Sequence, residues 1–196
     1  MNIKKGDYIS TILRSKKTVF SFKDIVLLWG DSGNAARVRI NYYLKNNDLY
    51  RIRQGIYAKD RDYDRFELAT RIFTPAYVSL ETVLGQAGVT FQYYGQIFAV
   101  SYLTRGIEVD GQKYSYRKIK DIILTNSTGV ETTENYSVAT PERAFLDVLY
   151  LNKDYHFDNP SALNWNKIFE ILSIYQNNKR MERKVKEHYE NFKADQ

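Results

Sequence analysis

Side chains able to read a nucleic acid are concentrated between Gly33 and Lys59. Asn34, Arg37, Asn41 and Lys45 recur at helical spacing, so at about 100° per residue they share one face, together with Val38 and Tyr42. Arginine and asparagine can make bidentate hydrogen bonds with guanine and adenine edges in a major groove. Arg51, Arg53 and Gln54 follow in a short basic segment, and Lys23 and Arg39 complete the candidate DNA-contacting set. The competing reading is an ordinary amphipathic helix with a solvated outer face. Charge placement favours contact with phosphate. Residues 1–60 hold 12 Lys and Arg against 5 Asp and Glu, whereas residues 61–196 hold 17 against 18. The net charge of +6 therefore originates in the N-terminal third. Solubility alone explains a basic total but not this asymmetry, while counterion release from phosphates explains both.

Other chemistries find weaker support. The absence of cysteine excludes disulfides, thiolate catalysis and cysteine-ligated zinc. His156 and His188 are the only histidines and stand at no metal or triad spacing, so both read as surface or loop residues. Asp60, Asp62 and Asp64 alternate like the opening of a calcium loop, but Arg65 and Arg71 occupy the positions that require glycine and glutamate. Gly30-Asp-Ser-Gly33 resembles the Gly-Ser opening of a nucleotidyltransferase site, but the carboxylates Asp60 and Asp62 fall on a linker. Glu142, Arg143 and Asp147 form a candidate partner-binding surface: Glu142 complements a helix dipole, and Arg143 and Asp147 pair at i, i+4 on the exterior. Tyr93, Tyr94, Tyr102, Tyr114 and Tyr116 can stack on bases, although their alternation with apolar residues favours packing on a sheet. No catalytic residue, metal or cofactor is expected.

The elements that must position these residues are legible in chain order. Asp7–Ser15 reads as a first helix with Ile9, Ile12 and Leu13 inward. Ser21 and Asp24 form a capping box, Phe20 staples against Ile25, and a second helix buries Ile25, Leu28 and Trp29 before ending near Gly30. The turn Asp31-Ser-Gly33 opens a third helix with Ala36, Ile40, Tyr43 and Leu44 inward. Leu49–Ile52 and Ile56–Lys59 form a ribbon turned at Arg53-Gln-Gly55, where Gly55 supplies the positive φ. Three helices and a ribbon predict an N-terminal winged helix-turn-helix over residues 1–60, with the third helix as reader and the ribbon as wing.

Residues 61–196 predict an α+β domain with a small, mostly antiparallel sheet and C-terminal helices. Its expected helices are Tyr63–Phe73 (stripe Phe66, Ala69, Phe73), a Ser79-capped helix to Ala87, a Thr140-capped helix to Leu151, Trp165–Tyr175 and Lys179–Phe192. Met181, Val185 and Tyr189 face inward on the last of these. Its expected strands are Ile97–Tyr102, Gly106–Val109, Gln112–Ile119, Ile122–Leu124 and Tyr136–Ala139, with a hairpin at Asp110-Gly111. No apolar run suits a signal peptide or a membrane span, so the expectation is a soluble cytoplasmic protein without a membrane partner.

Three segments carry a family resemblance. Arg51-Ile-Arg-Gln-Gly-Ile-Tyr-Ala58, Tyr77-Val-Ser-Leu-Glu-Thr-Val-Leu84 and Ala139-Thr-Pro-Glu-Arg-Ala-Phe-Leu-Asp147 together resemble the AbiEi family, antitoxins of type IV (abortive infection) toxin–antitoxin systems. The resemblance covers the chain from the first helix to about Leu151. It implies a winged helix that binds double-stranded DNA at the promoter of its own operon. It also implies a C-terminal domain that counteracts a nucleotidyltransferase toxin encoded nearby. Two other classes stand beside it: a winged-helix regulator or adaptor with an unrelated C-terminal ligand or protein site, and an RNA-binding or catalytic protein.

Overall fold

A computed structural model describes residues 8–176 and 178–194. The chain divides into two compact units, one of Met1–Ile72 with Glu134–Tyr136, the other of Phe73–Thr133 with Ser137–Gln196. Both mix helices with sheet, in the α+β manner expected from the sequence.

The first unit contains α1 (Tyr8–Arg14), β1 (Val19–Ser21), α2 (Phe22–Trp29), α3 (Gly33–Lys45), β2 (Tyr50–Arg53), β3 (Ile56–Ala58) and α4 (Arg65–Ile72). Local sequence dictates the helix ends. The Ser21 side chain accepts the Asp24 N–H, and Asp24 reciprocates on the Ser21 N–H at 2.8 Å, which makes the capping box. Gly30 ends α2 in the left-handed conformation, and Ser32 caps α3. The core gathers Ile12, Phe20, Ile25, Trp29, Ala36, Ile40, Tyr43, Leu49 and Tyr57, with Ile9 and Leu44 partly buried against it. Leu13 and Leu28, expected inward, remain 54% and 38% exposed. Trp29 is inward as expected: its Nε1 donates to the Tyr8 carbonyl at 2.8 Å and its ring meets Tyr8 edge-on. Asp7, expected to begin α1, lies outside the described residues.

The ribbon carries a third strand that hydrophobic period alone did not reveal. β1 pairs antiparallel with β3 through Val19↔Ala58, Phe20↔Tyr57 and Ser21↔Ile56, giving the order β1-β3-β2. The unit also runs past the expected boundary at Asp60 to include α4. Glu67, fully buried, accepts the Thr18 N–H and hydroxyl at 2.8 Å each, which ties α4 to the segment before β1. α4 begins at Arg65 instead of Tyr63 because the Asp64 carboxylate accepts the Phe66 and Glu67 N–H groups. Its buried residues are Glu67, Leu68, Ala69 and Thr70, while Phe66 and Phe73 are only half-buried.

The second unit is built on a six-stranded sheet, among the described residues, of order β6-β7-β5-β4-β9-β8. The strands are β4 (Ala76–Val78), β5 (Gln96–Ser101), β6 (Arg105–Val109), β7 (Gln112–Lys118), β8 (Val130–Thr132) and β9 (Ser137–Ala139). Its helices are α5 (Glu81–Gln86), α6 (Asp121–Leu124), α7 (Pro141–Leu151), α8 (Trp165–Leu172) and α9 (Lys179–Ala194). The sheet is larger and more mixed than expected, with β5/β7 and β4/β9 parallel. For β5/β7 the physical reason is the Asp110-Gly111 hairpin, with φ of 48° and 75°. It folds β6 to the outside, so that β7, restored to the direction of β5, lies beside it.

Two local expectations are corrected, and two short strands were not foreseen. Ile122–Leu124 is the short helix α6, not a strand, with Ile123 and Leu124 buried. Ser79 does not cap α5; Leu80 holds the N-cap position at φ 58° with no side-chain cap, because the Ser79 hydroxyl is engaged elsewhere. Strands β4 and β8, each three residues long, escaped a period-two reading that needs longer runs. The Thr140-capped helix α7 and the inward Met181 and Val185 of α9 stand as expected.

Candidate nucleic-acid interface

The cap at Ser32 fixes where α3 starts, and the packing of Ala36, Ile40 and Tyr43 fixes its rotation. The opposite face, Asn34, Arg37, Val38, Asn41, Tyr42 and Lys45, is exposed along its length. α3 contains no acidic residue. The β2–β3 hairpin lies beside this face: Arg51 Nη2 donates to Asn41 Oδ1 at 3.3 Å. A groove lined by Phe22, Arg37, Asn41, Arg51, Gln54 and Gly55 separates helix from hairpin. Gly55, at φ 79°, makes the turn that carries the exposed Arg53 and Gln54. A register shift between Arg51 and Arg53 marks an irregularity in the hairpin at the residues expected to contact DNA. Lys23 is exposed in the first turn of α2.

Arg39 stands apart from this set. Its Nε donates to Asp31 Oδ2 at 2.7 Å, and its guanidinium covers the Tyr8 ring at 3.8 Å. Asp31 holds its pKa above the ordinary arginine value. The side chain is part-exposed and engaged with Asp31 and Tyr8, unlike the cations that carry no carboxylate partner. Arg61, which the sequence reading did not single out, reaches the Tyr50 ring at 5.2 Å and lines a second concavity with Asn41, Lys45 and Arg51.

The arrangement of charge sharpens this face. Asp24 is surrounded by Lys17 and Arg71 at 3.4 and 3.3 Å, and Asp31 by Arg39. Burial pushes the Asp24 carboxyl up, but its Ser21 hydrogen bonds, Arg71 and Lys17 outweigh this and hold it below the ordinary carboxylate value. Acids in α2 and the following turn are thus neutralised locally. Among the described residues, Lys23, Arg37, Lys45, Arg51 and Arg53 pair with no carboxylate. Their positive potential is left to whatever approaches the groove.

The C-terminal candidates behave differently. Arg143 and Asp147 do pair, at 3.3 Å, but both are fully buried and Glu142 is 6% exposed, so they form no partner surface. Arg143 Nη1 donates to the Thr128 carbonyl at 2.7 Å, and Nη2 to the Ile123 carbonyl at 2.7 Å and the Tyr77 hydroxyl at 3.0 Å. Asp147 accepts from Tyr77, Ser79 and Tyr175 at 2.9, 2.9 and 2.7 Å. Burial raises the Asp147 carboxyl, opposed by Arg143 and the three hydroxyls; burial likewise holds Tyr77 and Tyr175 well above the ordinary tyrosine value. Gly129 completes the enclosure, since a Cβ there would come within 2.8 Å of Ile171 Cδ1 and 2.9 Å of Arg143 Cβ. Glu142 accepts the Asn164 N–H at 3.2 Å. The i, i+4 spacing signalled a pair; only the fold placed it inside.

Tyr114 and Tyr116 are buried in the sheet, whereas Tyr93 is 91% exposed. His156 is exposed, and His188 packs edge-on against Phe145 and Phe157. No protein-family model matches the chain, and no curated protein matches it at a significant level.

Proposed function

We propose that the chain is a double-stranded DNA-binding regulator. The outer face of α3 enters the major groove, the β2–β3 hairpin acts as the wing of a winged helix-turn-helix, and the site is the promoter of the chain's own operon. The observation that carries this reading is the cluster of unpaired cations and amides on α3 and the hairpin, joined by the Arg51–Asn41 hydrogen bond. Four cations there, with Lys23 on α2 as a fifth, have no acidic partner among the described residues and suit a polyanion, and the intervening amides suit base edges. The AbiEi resemblance extends the proposal to an antitoxin in the cytoplasm that, through its second unit, counteracts a nucleotidyltransferase toxin. Gel-shift titration of the full chain on its own upstream region at low salt tests the DNA reading; no shift there, with or without competitor, overturns it.

One observation favours a second reading for the C-terminal unit. Glu142, Arg143 and Asp147, which carry part of the resemblance, are consumed by internal packing. That motif therefore supports a shared fold better than a shared partner, and an unrelated ligand or protein site on this unit is the alternative. Growth rescue on co-expression with the neighbouring gene product separates the two.

A further inference from the structure

We propose that Val38 is a base-reading residue that contacts the C5-methyl group of a thymine, so that α3 selects duplexes with a thymine placed beside an adenine. The inference rests on the DNA-binding reading above and adds to it the chemical identity of the bases read. Val38 is 71% exposed at the middle of the outward face of α3. Asn34 and Asn41 stand four residues before it and three after, so both amides flank it on the same face. Burial gives the valine nothing in the free protein, and a β-branched residue is a weaker helix former than the lysine or glutamate usual at solvated positions. A lone exposed valine needs no explanation. A valine centred between two amides on a cationic face matches a specific surface, because thymine alone among the four bases presents a methyl group in the major groove. Asparagine is the side chain whose carboxamide matches the N6 and N7 of adenine.

The cations occupy the borders of this neutral strip. The Arg37 guanidinium is drawn towards Phe22, 5.4 Å from its ring centroid, and lines the groove beside the hairpin. Lys45 sits at the C-terminal end of the helix, and Arg51 reaches in from the hairpin to hold the Asn41 carbonyl oxygen. Cationic groups thus bracket a central strip of valine and amides, an arrangement that leaves the hairpin cations to the backbone and turns the apolar and amide groups to A·T pairs.

The experiment begins with selection of random duplexes by the full chain. Each thymine of the strongest duplex is then replaced in turn by deoxyuridine, which removes only the methyl group. For the wild type, one thymine position should show an affinity loss of about three- to fivefold, the value of roughly one buried methyl group. Val38→Ala, which keeps a single shorter methyl, should bind the thymine duplex more weakly and show a smaller deoxyuridine effect at that position than the wild type. Alanine at this exposed helical site preserves folding, which a thermal melt verifies. If every deoxyuridine effect is the same in Val38→Ala as in wild type, the assignment is overturned while DNA binding stands. If selection enriches no duplex over competitor, the DNA-binding reading itself falls, and this inference with it.

Discussion

At the residue scale, the second unit depends on a single buried guanidinium. Arg143 uses its fork to satisfy three backbone carbonyls (Ile123, Asn126 and Thr128), a tyrosine hydroxyl and Asp147. Removing one partner of such a pair strands a buried charge, so Arg143→Met should destabilise the unit by roughly 3–5 kcal/mol in urea titration. Arg143→Lys should recover little, because an ammonium cannot span the same acceptors. An unchanged midpoint in either variant would mean that the network does not support the fold. His188 adds a pH dependence. Burial, aided by Lys184, pushes its imidazole below the ordinary histidine value. The unfolded chain therefore takes up the proton at higher pH than the folded chain. Stability from this group is complete above about pH 6.5 and is lost as pH falls from there towards the folded value. Melts at pH 7.5 and 5.5 should show a larger acid shift for wild type than for His188→Phe, which keeps the ring contacts without the titration.

At the scale of elements, α2, α3 and the hairpin form one device. Ser21 caps α2 and also lies in β1, opposite Ile56 of the hairpin's second strand. Ser21→Ala should cost about 1 kcal/mol of stability through the lost cap, read as a lowered melting temperature. The hairpin cations are predicted to act through phosphate. Arg51→Ala and Arg53→Ala should each weaken binding to all duplexes and reduce the slope of log affinity against log salt by about one. Arg37→Ala, if the guanidinium reads a base, should cost roughly 1–3 kcal/mol on the selected duplex only. Arg39→Ala serves as the contrast: its ion pair with Asp31 belongs to the fold, so its loss should lower the melting temperature and leave the salt slope unchanged.

For the whole molecule, the division of charge and of contacts does not fall at the same residue. The basic surplus ends at Asp60, but Glu67 ties α4 to Thr18 and extends the first compact unit to Ile72. A fragment of residues 1–60 leaves the Thr18 N–H without its acceptor, whereas residues 1–72 keep it. The longer fragment should therefore melt at higher temperature and more cooperatively, which circular dichroism measures directly. Equal melts would assign α4 no part in the first unit's stability. If the units divide the work as proposed, residues 1–72 should shift DNA in a gel without restoring growth to cells that express the neighbouring toxin. Rescue by that fragment alone would refute the division.

Helix ends, the α3 stripe, the Asp110-Gly111 hairpin and the Thr140 cap were legible in the sequence, because each depends on residues within a few positions of one another. The exposed outer face of α3 followed from the same local period. The sequence by itself did not determine which polar groups leave the surface. Arg143 and Asp147 have the spacing of an exterior helix pair, and Ser79 has the pattern of a cap. Tyr77 and Tyr175, 70 and 28 positions from Asp147, are brought into one buried network with them only by the tertiary fold. The mixed order of the six strands is of the same kind. A buried charge is tolerated only where all its partners converge, and that convergence is a property of contacts far apart in sequence, which no local period encodes.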